Sequence, residues 1–355
     1  MTTASRPDPE VFSAALIAWH AHHGRHDLPW QSNRSPYRVW VSEIMLQQTQ
    51  VATVIPYYQR FMRRFPEVAT LAAAPIDEVL HLWSGLGYYS RARNLHRAAQ
   101  IVVEAYAGTF PREPGELEQL PGIGRSTAAA VAALAFDQRA TICDGNVKRV
   151  LARYFALEGP LGERAVEARL WKHAQACTPP AQAAVYTQAI MDFGATLCTR
   201  SRPLCMHCPV QRHCAAFAAG RVQQLPVPRR RLNRPTREVV MLLAVDPDGQ
   251  VLLHRRPPAG IWGGLWSPPE FADADAATQF CRQTLQSAAV TPEILEPVRH
   301  AFTHFDLTIT PLRIACPEAA TSMQEESALW YNARDPARVG LPAPIAALLS
   351  KMEMS

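Results

Sequence analysis

The hydrophobic periodicity of this chain changes once, and that change limits what it can fold into. Through about the first 220 of its 355 residues, apolar side chains recur at helical spacing. Helices are expected near 10–23, 37–48, 50–65, 88–106, 125–136, 145–156, 164–177 and 183–195, with Pro66, Pro75, Gly85–Gly87, Pro111 and Pro114 between them. This stretch carries no strand-like alternation. From Glu238 the pattern becomes that of strands: EVVMLLAVD, a Pro247–Asp248–Gly249 turn and QVLLHRR read as a hairpin. Further strands are expected near 296–304, 307–314 and 327–331, and helices over 273–288 and 343–351. The reading is a mainly α N-terminal domain followed by a smaller α+β domain. The length suits two domains of roughly 100–200 residues each.

Residues 221–237, RVQQLPVPRRRLNRPTR, are rich in Pro and Arg and have little to bury. They read as an exposed, extended basic linker, either simply solvated or touching nucleic acid. The formal net charge of +5 permits a nucleic-acid partner without requiring one. Apolar residues make up 48% of the chain, so either domain can bury a core. No apolar run reaches the roughly 18 residues that a membrane span needs. The opening MTTASRPDPE has no basic segment followed by an apolar core, so no secretory leader and a cytoplasmic location are expected. The 8 cysteines should then be reduced, and a close cluster reads as a metal site rather than as disulfides.

Such a cluster exists. Cys198, Cys205, Cys208 and Cys214 are spaced C-x6-C-x2-C-x5-C, close enough to converge on one centre. Zinc and a [4Fe–4S] cluster both accept four thiolates, and spacing does not choose between them. Cys143, Cys177, Cys281 and Cys316 are scattered and read as small core residues.

Residues 120–128 read LPGIGRSTA and lead into an Ala-rich helix. Gly122 and Gly124 allow a tight turn with positive φ, Ile123 can anchor it, and the N–H groups at the next helix start can hold a phosphate. A bare GxG marks no more than a turn, but L-P-G-I-G with helices on both sides looks like a helix-hairpin-helix element for DNA backbone. Asp144, in CDGNVKRVLARYF, stands just before a helix and is a natural N-cap, a role that would also fix its carboxylate in place. Glu43 lies in VWVSEIMLQQTQV, sharing a helical face with Gln47 and Gln50. That face is either a solvated stripe or a buried carboxyl whose raised pKa would make it a general acid.

Taken together, LPGIGRSTA, DGNVKRVL and the cysteine run resemble the helix-hairpin-helix DNA glycosylases that carry an iron–sulfur cluster. Endonuclease III and the MutY-type adenine glycosylases share this order, and the resemblance covers nearly the whole chain. LPW at 28–30, VWVSEIMLQQTQV at 39–51 and the SGLGYYSRARNL segment at 84–95 point to the MutY type. Ser126 stands where the endonuclease III relatives carry the lysine that forms a Schiff base, which implies base removal without strand cleavage. GIWGGLWSPPEF at 260–271 is similar to that family's MutT-like, Nudix-related domain. The region around Ala276–Thr284 lacks the acidic cluster of a Nudix hydrolase, so this domain should recognise rather than hydrolyse.

The resemblance implies a six-helix barrel with an iron–sulfur module over 8–222, a linker over 223–237 and a Nudix-like domain over 238–355. It implies a monomer acting on duplex DNA with adenine opposite 8-oxoguanine or guanine, with a [4Fe–4S] cluster on the four cysteines and no membrane partner. Glu43 and Asp144 would be catalytic. Trp30, Ser126 and Gln188 would line the adenine pocket, and Gln48, Tyr88 and Leu86 would fill the gap in the duplex. Thr49, Gly122, Gly124 and Asn146 would contact DNA. Thr303 and His304, in Phe302–Thr303–His304–Phe305, match the family's F-S-H lesion-reading segment, with Thr for Ser. The family's Arg near position 26 is His26 here and is not carried over. Arg200, Arg202, His207 and Arg212 would face phosphates. Deleting 238–355 is expected to spare excision and weaken the preference for 8-oxoguanine. The alternatives are an endonuclease III-like glycosylase/lyase, a non-catalytic DNA-binding protein on the same scaffold and a Nudix hydrolase with an added DNA module. Strand cleavage without alkali, absence of excision, or nucleoside-triphosphate hydrolysis would mark them.

Overall fold

The computed structural model describes residues 6–228, 233–287, 291–317 and 327–352. Arg229–Arg231 of the basic linker lie outside these residues. Contacts divide the chain into two units: Met1–Ala73 with Arg97–Arg231, and Ala74–His96 with Leu232–Ser355.

The first unit is helical. Among its described residues it holds α1 (Pro9–His23), α2 (Pro36–Leu46), α3 (Val51–Arg64) and α4 (Val68–Ala72). After the last part of α6 (Ser90–Tyr106) come α7 (Pro114–Leu117), α8 (Arg125–Phe136), α9 (Gly145–Tyr154), α10 (Arg164–Cys177), α11 (Ala183–Thr196) and α12 (Ala215–Ala218). Asp8, Ser35 and Asp144 cap α1, α2 and α9 through their side chains, so three of these starts follow directly from residue type. α8 is buried along Ala128–Ala133 and packs between α2 and α11. Its run of alanines lets the neighbouring helices approach closely.

One expectation needs correcting here. α2 ends at Leu46 rather than near 48, because Gln47 caps it and Gln48 turns left-handed at φ 57. Gln50 is already the N-cap of α3, so Glu43, Gln47 and Gln50 do not form one helical face.

The second unit carries α5 (Ile76–Trp83), the start of α6 and a mixed sheet. Its strands are β1 (Thr236–Val245), β2 (Val251–Arg255), β3 (Trp266–Ser267), β4 (Glu270–Phe271), β5 (Glu293–Ile294), β6 (Val298–Ala301), β7 (Asp306–Ala315) and β8 (Ala328–Tyr331). β1 and β7 pair in parallel over their whole length, from Thr236↔Asp306 to Val245↔Ala315. The remaining pairs are antiparallel. α13 (Ala274–Gln283) covers one face, placing Ala277 and Cys281 against Leu242, Ala244, Leu312 and Ile314. α14 is Ala343–Met352. α13 stops short of 288 because Gln286 takes a left-handed φ of 52 that turns the chain out of the helix.

The division differs from the boundaries read in the sequence. Residues 74–96 pack with the C-terminal strands: Asp77 accepts from Arg255 and from the Trp266 indole, and Leu80 lies against Gly340.

Candidate active site

The first unit holds a cleft of about 1060 Å³. Trp30, Glu43, Gln48, Thr49, Ser126, Asp144, Asn146 and Gln188 all line it, residues that lie up to 158 positions apart in the chain, from Trp30 to Gln188. α2 delivers Glu43, the start of α9 delivers Asp144 and Asn146, and α11 delivers Gln188.

Asp144 is both a cap and a wall residue. Its Oδ1 accepts the Val147 N–H at 2.8 Å, which fixes the carboxylate at the mouth of α9. Burial raises its pKa, against the Val147 and Asn146 N–H groups and the Arg149 and Lys148 charges that favour ionisation. Burial also pushes Glu43 up to about 7, and the Asp144 charge adds to that push. Two carboxyls facing one low-dielectric cleft resist double ionisation. Asp144, with helix N–H groups and two cations beside it, is the better placed of the two to carry a negative charge. Glu43 is the one that keeps a proton near neutral pH.

Ser126 has a structural task in this wall. Its Oγ accepts the Cys143 N–H at 3.0 Å, tying the start of α8 to the peptide just before Asp144. Trp30 is held edge-on against Tyr58, with ring centroids 5.4 Å apart. Gln188 donates through Nε2 to Asp192 Oδ1 at 3.0 Å. Asp192 is fully buried and also accepts from the Arg25 backbone N–H, Nε and Nη2, while His20 Nε2 lies 3.3 Å away. Burial alone would raise Asp192, but the His20 and Arg25 contacts outweigh it and hold the carboxyl below its usual range. An ionised Asp192 only accepts, so the Gln188 amide must turn its NH2 inward to it.

The glycines of the hairpin do not themselves line the cleft, although Ser126 and Thr127 just after them do. Gly122 takes φ 80, a conformation that costs an L side chain, and Ile123 is buried as expected. Gly124 corrects the reading of two left-handed glycines: at φ −91 it is an extended N-cap, and no side chain caps α8 there. A Cβ on Gly124 would meet nothing within 4 Å. Its smallness therefore serves neither the turn nor the packing of this chain.

Cys198, Cys205, Cys208 and Cys214 line one apolar cavity with Phe12, Val150 and Leu197. Burial raises the thiols of Cys205, Cys208 and Cys214, and the four cysteines influence one another electrostatically. Buried Arg153 secures the loop, donating to the carbonyls of Thr199, Arg200, Val222 and Leu225, with Nη1 3.4 Å from Cys198 Sγ. Arg149 joins the same loop to the cleft: it donates to Asn146 Oδ1, Gly194 O and Cys198 O. Among the described residues no three His, Cys, Asp or Glu side chains are set to hold a single metal ion. Arg200, Arg202, His207 and Arg212 are exposed around the loop.

The remaining expected residues belong to the second unit. Tyr88 is 49% exposed at φ 48, whereas Leu86 is buried and can only support it. Thr303 and His304 are exposed, above a stacked pair formed by Phe302 and Phe305. Tyr88 Oη lies 3.5 Å from Thr303 Oγ1.

Residues 41–176 match the HhH-GPD superfamily base excision DNA repair proteins, and residues 240–351 match the NUDIX domain. The adenine DNA glycosylase of Buchnera aphidicola subsp. Baizongia pistaciae is 35% identical over 343 residues, covering 97% of each chain. The mouse adenine DNA glycosylase is 37% identical over 92% of this chain and 74% of its own. The chain belongs to the adenine DNA glycosylase family.

The first unit's fold is shared more widely among DNA glycosylases. A thermostable thymine-DNA glycosylase superposes with a TM-score of 0.54 at 28% identity, covering 59% of this chain and 97% of that one. A non-covalent endonuclease III–DNA complex superposes with 0.51 at 23% identity, over 60% of this chain and 98% of that one. The glycosylase therefore excises adenine in base excision repair. Its NUDIX-matching unit lacks hydrolase acids on α13, where Asp275 is the helix's one carboxylate. No described helix is long and apolar enough to cross a membrane.

Two residues escaped the sequence reading, one in the cleft wall and one buried behind it. Arg25 lines the cleft beside His26, the position at which the family's Arg was sought. Asp192 was missed as well, although a carboxylate inside the apolar AIMDFGA stretch, four residues after Gln188, was a visible signal.

Proposed function

We propose that this glycosylase hydrolyses the N-glycosidic bond of adenine mispaired with 8-oxoguanine or guanine in duplex DNA, without cutting the strand. The observation that carries the reading is the unequal pair on one cleft: Glu43, pushed up to about 7, facing Asp144, whose ionised form the Val147 and Asn146 N–H groups and the Arg149 and Lys148 charges favour. C1′ of the adenosine is out of reach inside a stacked duplex, so the adenine must be flipped into the cleft. Glu43 delivers its proton to the base, at N7, and turns a poor anionic leaving group into a neutral one. As the C1′–N9 bond lengthens, positive charge spreads over the sugar ring, and Asp144 stabilises it from the α9 N-terminus. Glu43, now ionised, takes a proton from the attacking water and is restored to the acid form. Trp30 and Gln188 hold the base. Ser126 carries no amine for a Schiff base and braces the peptide before Asp144 instead.

The four-cysteine cavity suits a [4Fe–4S] cluster, which would brace the Cys198–Cys214 loop and its exposed arginines against phosphates rather than take part in base removal. Gly122 and Gly124 let the hairpin approach the DNA backbone. In the second unit, Tyr88 enters the vacated stack and Thr303 with His304 reads the base opposite adenine.

A single-turnover assay on a duplex with one adenine opposite 8-oxoguanine, with and without hot alkali, tests the reading. Cleavage should require alkali, and Asp144→Asn should bind the duplex yet lose at least about a hundredfold in rate. Alkali-independent cleavage, or an unchanged rate in Asp144→Asn, would overturn it.

A further inference from the structure

The exposed Tyr88 sits at the tip of a turn that is hydrogen-bonded almost throughout. Leu86 N donates to Trp83 O, Trp83 Nε1 to Gly87 O, and Arg91 Nη2 to the carbonyls of Leu86 and Gly87. Holding a tyrosine half-exposed at φ 48 costs conformational energy, and this frame keeps it there. The frame meets the C-terminal sequence at more than one point: Tyr88 Oη lies 3.5 Å from Thr303 Oγ1, and the hydroxyl beneath the turn makes a second link. The buried Tyr89 Oη accepts the Gly85 N–H at 3.3 Å and donates to Leu341 O at 2.9 Å. Leu341 is itself pinned. Trp266 N donates to Gly340 O, the Trp266 indole reaches Asp77 on α5, and Gly340 is packed so closely that a Cβ would come within 2.6 Å of Leu80.

We propose that Tyr89 is a positioning residue. Its hydroxyl couples the Tyr88 turn to Leu341, so entry of Tyr88 into the duplex depends on the C-terminal sequence that also carries Thr303. The proposal rests on the reading that Tyr88 enters the stack. It concerns Tyr89, which no motif singled out. The ring fills space beneath the turn, while the hydroxyl sets the angle at which Tyr88 is presented.

The test is a double-mutant cycle in the full-length protein with Tyr89→Phe, Tyr88→Ala and the pair. It reads affinity for the adenine:8-oxoguanine duplex, single-turnover rate, and fluorescence of a 2-aminopurine placed beside the mispair as a measure of unstacking. Tyr89→Phe keeps the ring and should lower affinity and unstacking about three- to tenfold. In the Tyr88→Ala background the same change should do nothing further, because Tyr89 acts through Tyr88. Equal losses in both backgrounds would mean that the hydroxyl only stabilises the fold, and no loss would mean that it positions nothing. Either result overturns the proposal. A silent Tyr88→Ala would overturn the underlying reading of Tyr88, and this proposal with it. Should Tyr89→Phe not fold, Gly340→Ala, whose Cβ meets Leu80 and Leu265 and so must shift the Gly340–Leu341 backbone or those side chains, should reproduce the coupled loss.

Discussion

Glu43 shows how a residue's chemistry depends on where the chain ends a helix. Its sequence surroundings allowed a solvated stripe or a buried acid; α2 ends just past it, and Glu43 stands half-buried in the cleft wall, where loss of water raises its pKa. The price is stability above neutral pH. The folded-state pKa of about 7 lies above the ordinary 4.5, so Glu43 is neutral in both states below about 4.5 and costs nothing there. As pH rises through 7 the unfolded chain is already ionised and the folded one must follow, so stability is lost across that window. Glu43→Gln should therefore melt a few degrees above the parent at pH 8, by about 1–2 kcal/mol after solvent screening at the open cleft. The gain should vanish near pH 4.5, which thermal melts across that range would check. With Glu43 in the proposed role of general acid, the parent's excision rate should fall above pH 7. A pH-independent difference in melting would mean that Glu43 is not buried as an acid. Asp192 shows the opposite solution: three N–H donors from Arg25 keep a fully buried carboxylate ionised, because the charge is matched where it lies.

Elements with local causes were legible. Asp8, Ser35 and Asp144 start helices because a short acceptor side chain satisfies the open N–H groups behind it. α5 was missed although Val79, Leu80 and Trp83 give it a buried face, and the two-residue strands β3, β4 and β5 were missed because their partners, rather than any run of their own, hold them. The glycine hairpin separates two reasons for the same residue. Gly122→Ala forces a Cβ onto φ 80 and should cost about 1–2 kcal/mol in denaturant unfolding. Gly124→Ala meets open space at φ −91 and should leave unfolding within about 0.5 kcal/mol. Its effect should appear as weaker duplex binding, where a methyl group stands between the uncapped α8 start and a phosphate. Equal binding by both variants and the parent would remove the hairpin from the DNA interface.

At the scale of the whole molecule, the two units do not follow the order of the chain. Residues 74–96 interrupt the helical unit and pack with the C-terminal strands, through Asp77, Leu80, Tyr89 and Arg93. Removing 238–355 should therefore do more than blunt lesion preference. It strips Leu265, Trp266 and Leu341 from α5 and the Tyr88 turn, so limited proteolysis of the truncated protein should cut near 84–89, where the parent resists. A truncated protein as resistant there as the parent would show that the turn stands alone. The sequence by itself determined the helical and α+β halves, the four-cysteine run, the hairpin and both carboxylates, because periodicity, spacing and capping act over a few neighbouring residues. Only the tertiary structure decided that Glu43 and Asp144 share one cleft, that Asp192 orients Gln188, and that the Tyr88 turn belongs with the C-terminal strands. Those outcomes depend on burial and on partners more than a hundred residues away, which no local pattern encodes.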